Sequence, residues 1–220
     1  MSVKDNLQQI QSEINDSIEK SPYQNTPTLI AVTKYVTMER AQEAIDAGIM
    51  HLGENRIEGF LEKRHHFNDV TMHFIGSLQT RKVKDVIHHV DYLHSLDRIS
   101  LAQEINKRAE KKVKCFIQVN VSGEESKHGI PADEVYEFTQ SLSKYDKIEV
   151  VGLMTMAPLE ASEDEIRSYF KQLKQLQMAI LALGLPHAPC TETSMGMSND
   201  YKIAIEEGAT FIRIGTKLVG

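Results

Sequence analysis

The sequence predicts one α/β domain over residues 1–220, a single (β/α)8 TIM-like barrel with an extra helix at its N-terminus. Three observations point there. Short apolar runs alternate with helix-period runs eight times, the pattern of a parallel sheet with helical crossovers. Polar residues recur at the C-terminal end of nearly every apolar run, where the strands of such a barrel converge on one mouth. The turn after the first strand, "KYVTMER", holds no glycine, whereas a doubly wound open sheet, the competing architecture, wants a Gly-rich turn there. A chain of 220 residues with 41% hydrophobic composition can bury one such core.

Leu7, Ile10, Ile14 and Ile18 follow helical spacing behind Ser2, a capping residue, and "SPYQNTP" breaks that helix with two prolines. Residues 28–36 read as the first strand, with Lys34 inside it, and "MERAQEAIDAG" as a helix closing on Gly48. "MHLGEN" is the second strand, and Ile57, Phe60 and Leu61 mark its helix. "TMHFIGS" is the third, followed by a helix with Val83, Val86 and Ile87; "VDYLHSL" is the fourth, with a helix from Asp97 that buries Leu101, Ala102 and Ile105. "VKCFIQVNV" is the fifth, and a polar loop, "SGEESKHG", leads to a helix opened by Pro131. "IEVVGLMTMA" is the sixth. Ser162 and Glu165 then form a capping box before a long helix with Ile166, Phe170, Leu173, Leu176 and Ile180 on one face. A weak seventh strand lies in "CTETSMG", with a helix from near Ser198 to before Gly208; "TFIRIG" is the eighth.

Several function classes are excluded. The net charge is −6, acidic residues outnumber basic ones, and no basic stripe occurs, so nucleic acid and anionic membrane are not expected partners. The N-terminus has no apolar signal core and no stretch approaches the ~20 apolar residues of a membrane span, so a cytoplasmic location is expected. Cys115 and Cys190 read as two reduced thiols. The pairs His65-His66 and His88-His89 sit at neighbouring helical positions, which do not face each other, so no metal site is expected.

The polar strand ends are Lys34, Asn55, Gly76-Ser77, Ser95, Asn120, Thr155, Ser194 and Arg213 with Gly215-Thr216. Asn55, Ser77, Ser95 and Asn120 also serve as caps or loop ties elsewhere in proteins. Lys34 and Arg213 are harder to assign to structure alone. An unpaired ammonium inside a strand is costly, and two cations in one barrel repel unless an anion sits between them. The last two strand–helix loops suit that anion. Gly196 and Ser198 precede a predicted helix, Gly215 and Thr216 follow the last strand, and a phosphate site from these two loops recurs in such barrels. A lysine facing a phosphate site suggests a phosphorylated carbonyl compound bound as a Schiff base, which fits an aldolase or pyridoxal 5′-phosphate (PLP).

The segments "AVTKY", "GENR", "HFIGSLQTRK", "SLDR", "QVNVSGEESKHGI", "GLMTMAP", "SMGMSND" and "IRIGTKLVG" occur in the order found in the PLP homeostasis protein family, PLP-binding proteins shaped like the N-terminal barrel of alanine racemase. The chain resembles that family over nearly its whole length. The resemblance implies that Lys34 holds PLP as a Schiff base and that Arg213 faces the pyridine nitrogen. It implies that Ser198, Gly215 and Thr216 bind the phosphate, and that Asn55 and Met195 are neighbours of the cofactor. The implied function is a carrier and buffer in intracellular PLP homeostasis, with little or no catalysis of its own, as a monomer, with PLP-dependent apoenzymes as possible recipients.

The chain stops after "KLVG", so the second domain that supports the racemase's second catalytic base, a tyrosine, is not expected. Strand alternation would point Tyr35 away from Lys34. A small PLP-dependent racemase is the alternative, and an aldolase using Lys34 without PLP is a third reading. The loop 122–129, with Lys127, is expected to overhang the mouth and control access.

Overall fold

In the computed structural model, which describes residues 1–125 and 127–220, parallel pairing closes on itself. Strands β1 (Thr28–Val32), β2 (His51–Glu54), β3 (Thr71–Phe74), β4 (Tyr92–Leu96) and β5 (Val113–Asn120) lie side by side, each hydrogen-bonded to the next. A two-residue strand, β6 (Ile130–Pro131), hangs on the outer end of β5. The barrel continues through β7 (Ile148–Met154), β8 (Glu192–Ser194) and β9 (Phe211–Ile214). β9 pairs back to β1, with Thr28 opposite Phe211 and Ile30 opposite Arg213, so eight strands form the closed barrel and no ladder edge is left in it.

The helices are α1 (Val3–Lys20), α2 (Met38–Asp46), α3 (Ile57–His66), α4 (Val83–Val86), α5 (Ile99–Arg108), α6 (Val135–Ser141), α7 (Glu163–Ala182), α8 (Tyr201–Glu206) and α9 (Thr216–Val219). Several predicted boundaries move, two of them at helix starts. Pro131 lies in β6 and precedes a 3-10 turn over Ala132–Glu134, so α6 opens at Val135 and not at the proline. The helix expected near Ser198 begins at Tyr201, because residues 198–200 form a turn. Both predicted caps hold. Ser2 with Asp5, and Ser162 with Glu165, make reciprocal capping boxes.

Two apolar layers follow from strand alternation. The larger lies between the strands and the helices. The smaller fills the barrel, with Ile30, Phe116, Val151, Met154 and Phe211 packed beside Tyr92. The helix α1 braces the C-terminal elements against the barrel. Asn6 Nδ2 donates to the Leu218 carbonyl at 2.9 Å, Lys217 Nζ pairs with Glu13 Oε2 at 2.5 Å, and the Tyr201 hydroxyl donates to Glu13.

The ends of β1 and β2 are pinned by a buried ion pair. Lys63 Nζ on α3 lies 2.5 Å from Glu54 Oε1, and the Thr33 hydroxyl donates to the same oxygen at 2.8 Å. Both ion-pair side chains are buried, and Gly59 leaves room for them: a Cβ there would sit 3.1 Å from Glu54 Oε2. Removing one partner strands the other charge out of water. Lys63→Met is therefore expected to destabilise the barrel by about 3–5 kcal/mol in urea unfolding, with much of the loss recovered when Glu54 is also made apolar. A single variant as stable as the parent would show that the pair does not carry this stability.

Candidate functional site

The site begins where β1 stops. Val32 is buried; the Thr33 amide still donates to the Gly53 carbonyl at 3.1 Å, and the chain then turns. Tyr35 sits in the left-handed region at φ 65°, an uncommon conformation for a bulky residue that marks a site held by its surroundings. The turn tips Lys34 out of the ladder. Lys34 is exposed and lies two residues past the strand end, not inside the strand as the apolar run suggests. The physical reason is the one that made it conspicuous: an unpaired ammonium stays in water if the backbone can turn first. Tyr35 is also not turned away from it. Its ring lies 6.0 Å from Lys34 Nζ and 5.1 Å from the Arg56 guanidinium.

Lys34 lines three adjoining cavities at the C-terminal mouth, of about 210, 260 and 500 Å³. The first two also share Arg213. Arg213 projects inward from β9 and is 3% exposed. Burial pulls its pKa down to about 10, with Asp200 opposing the shift, so it remains a cation at neutral pH. A guanidinium can only donate, and its neighbours supply acceptors. Nη1 donates to Ser194 Oγ at 2.6 Å, and Nη2 to the Thr155 carbonyl at 3.0 Å. The Thr155 hydroxyl in turn donates to the Val119 carbonyl at 2.7 Å. Sequence reading placed Thr155 and Ser194 at the mouth but did not identify them as the partners of Arg213.

The two C-terminal loops meet as predicted. Ser198, Gly215 and Thr216 all line the 210 Å³ cavity with Lys34 and Arg213, and the Gly215 amide donates to Ser198 Oγ at 3.3 Å. Gly196 makes the turn possible. Its φ is +99°, and a Cβ would come within 2.6 Å of Ala204 Cβ. Asp200, which sequence reading passed over, lines the same cavity. Its Oδ1 accepts from the Met197 amide at 2.7 Å, and burial raises its pKa.

Asn55 lines the second cavity, and its Oδ1 is buried without a hydrogen-bond partner among the described residues. Such an orphaned acceptor is costly unless something donates to it. Met195 does not join this group. It is fully buried in the strand–helix core and lines none of the three cavities, while Met197 lines all three, because the turn at Gly196 points the next side chain into the mouth. Asn120 ties down the following loop through Glu124 and Gly123 while lining the third cavity beside Lys127 and His128. Ser126, within the expected access loop, lies outside the described residues.

A feature missed in the sequence lies beneath the mouth. Three imidazoles bond in series through the barrel: His51 Nδ1 to His73 Nε2 at 2.9 Å, His73 Nδ1 to His94 Nε2 at 2.8 Å, and His94 Nδ1 to Ser194 Oγ at 2.9 Å. The available signal was a histidine in each of the second, third and fourth strands. Desolvation holds His73 and His94 well below the usual histidine pKa, and each is pushed further down by its neighbouring histidine.

Comparison with known proteins adds to this geometry. Residues 4–220 match the family model described as alanine racemase, N-terminal domain. The pyridoxal phosphate homeostasis protein of Aquifex aeolicus is 38% identical, the alignment covering 100% of this chain and 98% of the relative. This chain belongs to the pyridoxal phosphate homeostasis protein family. The member from Escherichia coli K12 is 32% identical over 98% of this chain and 94% of its own. The solved structure of PipY from Synechococcus elongatus PCC7942 with PLP bound superposes with a TM-score of 0.86 at 31% identity, covering 99% and 100% of the two chains. An alanine racemase from Clostridium difficile 630 shares the fold at a TM-score of 0.77 and 18% identity, with 98% of this chain and 56% of the racemase covered.

The buried histidines give the family's barrel here a definite acid response. Unfolded chains take up protons on His73 and His94 near pH 6.5, and the folded barrel does not. The stability that these histidines contribute is therefore present above pH 6.5 and is lost as pH drops through it. Urea unfolding from pH 7.5 to 5.0 measures this, and a flat profile would mean that the folded barrel accepts the protons.

Proposed function

We propose that this protein binds PLP reversibly through Lys34 and serves in intracellular PLP homeostasis as a carrier and buffer, with little catalysis of its own. The observation that carries the reading is the convergence of one accessible amine, one buried guanidinium and the Ser198–Gly215–Thr216 loops on a single cavity. The family membership supports it. So do the residues' chemistries, since two cations and two hydroxyls suit a phosphorylated aldehyde, and the orphaned Asn55 Oδ1 can accept from a ligand donor. When bound, the group supplies an aldehyde that condenses reversibly with amines and a ring that can accept electrons.

In this reading Lys34 is the nucleophile, and its exposure lets ligand enter and leave without opening a core. Ser198 and Thr216 hydroxyls and the adjoining backbone amides hold the phosphate. Arg213 donates to the pyridine nitrogen. Because Arg213 keeps its proton, that nitrogen stays unprotonated and the ring remains a weak electron sink, which favours holding the cofactor over driving carbanion chemistry. The location proposed is the cytoplasm and the working form a monomer; among the described residues no helix is long and apolar enough to cross a membrane.

The racemase reading gains one observation, the Tyr35 ring near Lys34. Racemisation needs two positioned groups on opposite faces of the substrate, and Tyr35 is adjacent to Lys34 and 74% exposed. PLP-loaded protein given L-alanine in deuterated water is expected to show little Cα exchange, and then to reactivate a PLP-requiring apoenzyme. Exchange far above one turnover per site would establish a racemase instead.

The site assignment has its own test. Lys34→Ala is expected to abolish borohydride trapping of PLP while melting like the parent, since an exposed lysine packs nothing. Thr216→Ala should weaken PLP binding by about 1.5–3 kcal/mol, one hydrogen bond to a charged acceptor, and leave pyridoxal binding nearly unchanged. Trapped PLP on another lysine, or equal loss for pyridoxal and PLP, would refute the respective assignment.

A further inference from the structure

We infer that the barrel interior carries a one-way hydrogen-bond chain, running from Arg213 through Ser194, His94 and His73 to His51, which holds all three imidazoles in the Nε2–H tautomer. Ser194 and His94 are thereby positioning residues for Arg213. The consequence for bound cofactor rests on the role of Arg213 proposed above; the tautomer assignment does not.

The direction follows from proton counting. Neutral imidazole has one N–H and one bare nitrogen. Arg213 only donates, and it donates to Ser194 Oγ at 2.6 Å. The serine proton then needs an acceptor, and the other polar atom bonded to that hydroxyl is His94 Nδ1 at 2.9 Å. So His94 Nδ1 is bare and its proton is on Nε2, 2.8 Å from His73 Nδ1. The same step fixes His73, whose Nε2–H donates to His51 Nδ1 at 2.9 Å. His51 opens β2 at the far end of the barrel and is half-buried, so its Nε2–H can reach water.

Reversing the chain fails twice. A His94 Nδ1–H would make the serine hydroxyl accept from both sides, and its buried proton would be left without a partner. The reversal would also turn the N–H end of each imidazole dipole toward the guanidinium. In the forward sense each presents its lone pair toward the cation, which stabilises Arg213 in a site that has removed it from water. Two of the rings are oriented by stacking on aromatic neighbours. His73 lies on Tyr92 at 4.7 Å between centroids, and His94 on Phe116 at 4.4 Å. Fully satisfied polar chains of this kind are costly to place among apolar strand residues unless each member is bonded, as each link here is.

The test reads tautomers directly. Full-length protein without PLP, labelled with 15N-histidine, is expected to give Nε2–H patterns for His51, His73 and His94 in long-range proton–nitrogen spectra at pH 7.5. An Nδ1–H on His73 or His94 would overturn the chain. The positioning role is tested with PLP-loaded variants. Ser194→Ala and His94→Phe, which keep the volume and remove the link, should each release PLP several-fold faster with a shifted absorbance of the bound cofactor. His94→Gln, which keeps an acceptor and a donor, should stay closer to the parent. If either severed variant melts cooperatively yet keeps the parent's release rate and spectrum, Arg213 does not depend on the chain. If Phe and Gln at position 94 behave alike, the role of His94 is packing. A parent protein that takes up no PLP would refute the cofactor reading and leave the tautomer result standing.

Discussion

The architecture turns on one buried cation. Arg213 projects into the barrel below its C-terminal mouth, removed from water, and a guanidinium there is tolerated only if acceptors surround it. Those acceptors come from different parts of the chain, the hydroxyl of Ser194 at the end of β8 and the carbonyl of Thr155 just past β7. They stand in reach because β7, β8 and β9 pair in parallel, with Met154 opposite Ser194 and Ser194 opposite Phe211. The register of three strands is thus tied to the needs of one side chain, and a slip of one residue would turn Arg213 to the helix side.

The two cations of the mouth are handled in opposite ways. Arg213 is fixed and dry, with a donor on each of its two terminal nitrogens held by the frame. Lys34 is wet, set on a left-handed turn, and anchored only through its neighbours: Thr33 bonds into the Glu54–Lys63 pair beneath it. In the proposed function, a rigid donor beside an accessible amine suits reversible covalent capture, where the amine must be reached by solvent and the rest of the site must not rearrange. The braces extend to the C-terminus. The helix α1 bonds to both α8 and α9, which follow the two loops proposed to hold the phosphate, so an N-terminal helix outside the (β/α)8 repeat contributes to holding the mouth.

The alternation of apolar runs and helical patterns was enough to determine the barrel, its eight parallel strands and the cluster of polar groups at one end. Those properties are periodic and local, and capping boxes at Ser2 and Ser162 or a glycine at 196 carry their meaning within a few residues. The pairing of the Ser198 and Gly215 loops was also legible, because adjacent strands in a closed barrel bring adjacent loops together. Other features depended on packing across the fold. Lys34 leaves its strand because a turn is cheaper than a desolvated ammonium, which the apolar letters around it do not reveal. Met197 lines the mouth and Met195 lies in the core because the chain turns at Gly196. The histidines of β2, β3 and β4 are far apart in sequence and become a continuous chain only when strand register stacks them along the barrel. Composition and periodicity determine which elements form; which polar atoms find one another inside is decided by closure, since hydrogen bonding is short-ranged and the partners come from strands up to 100 residues apart.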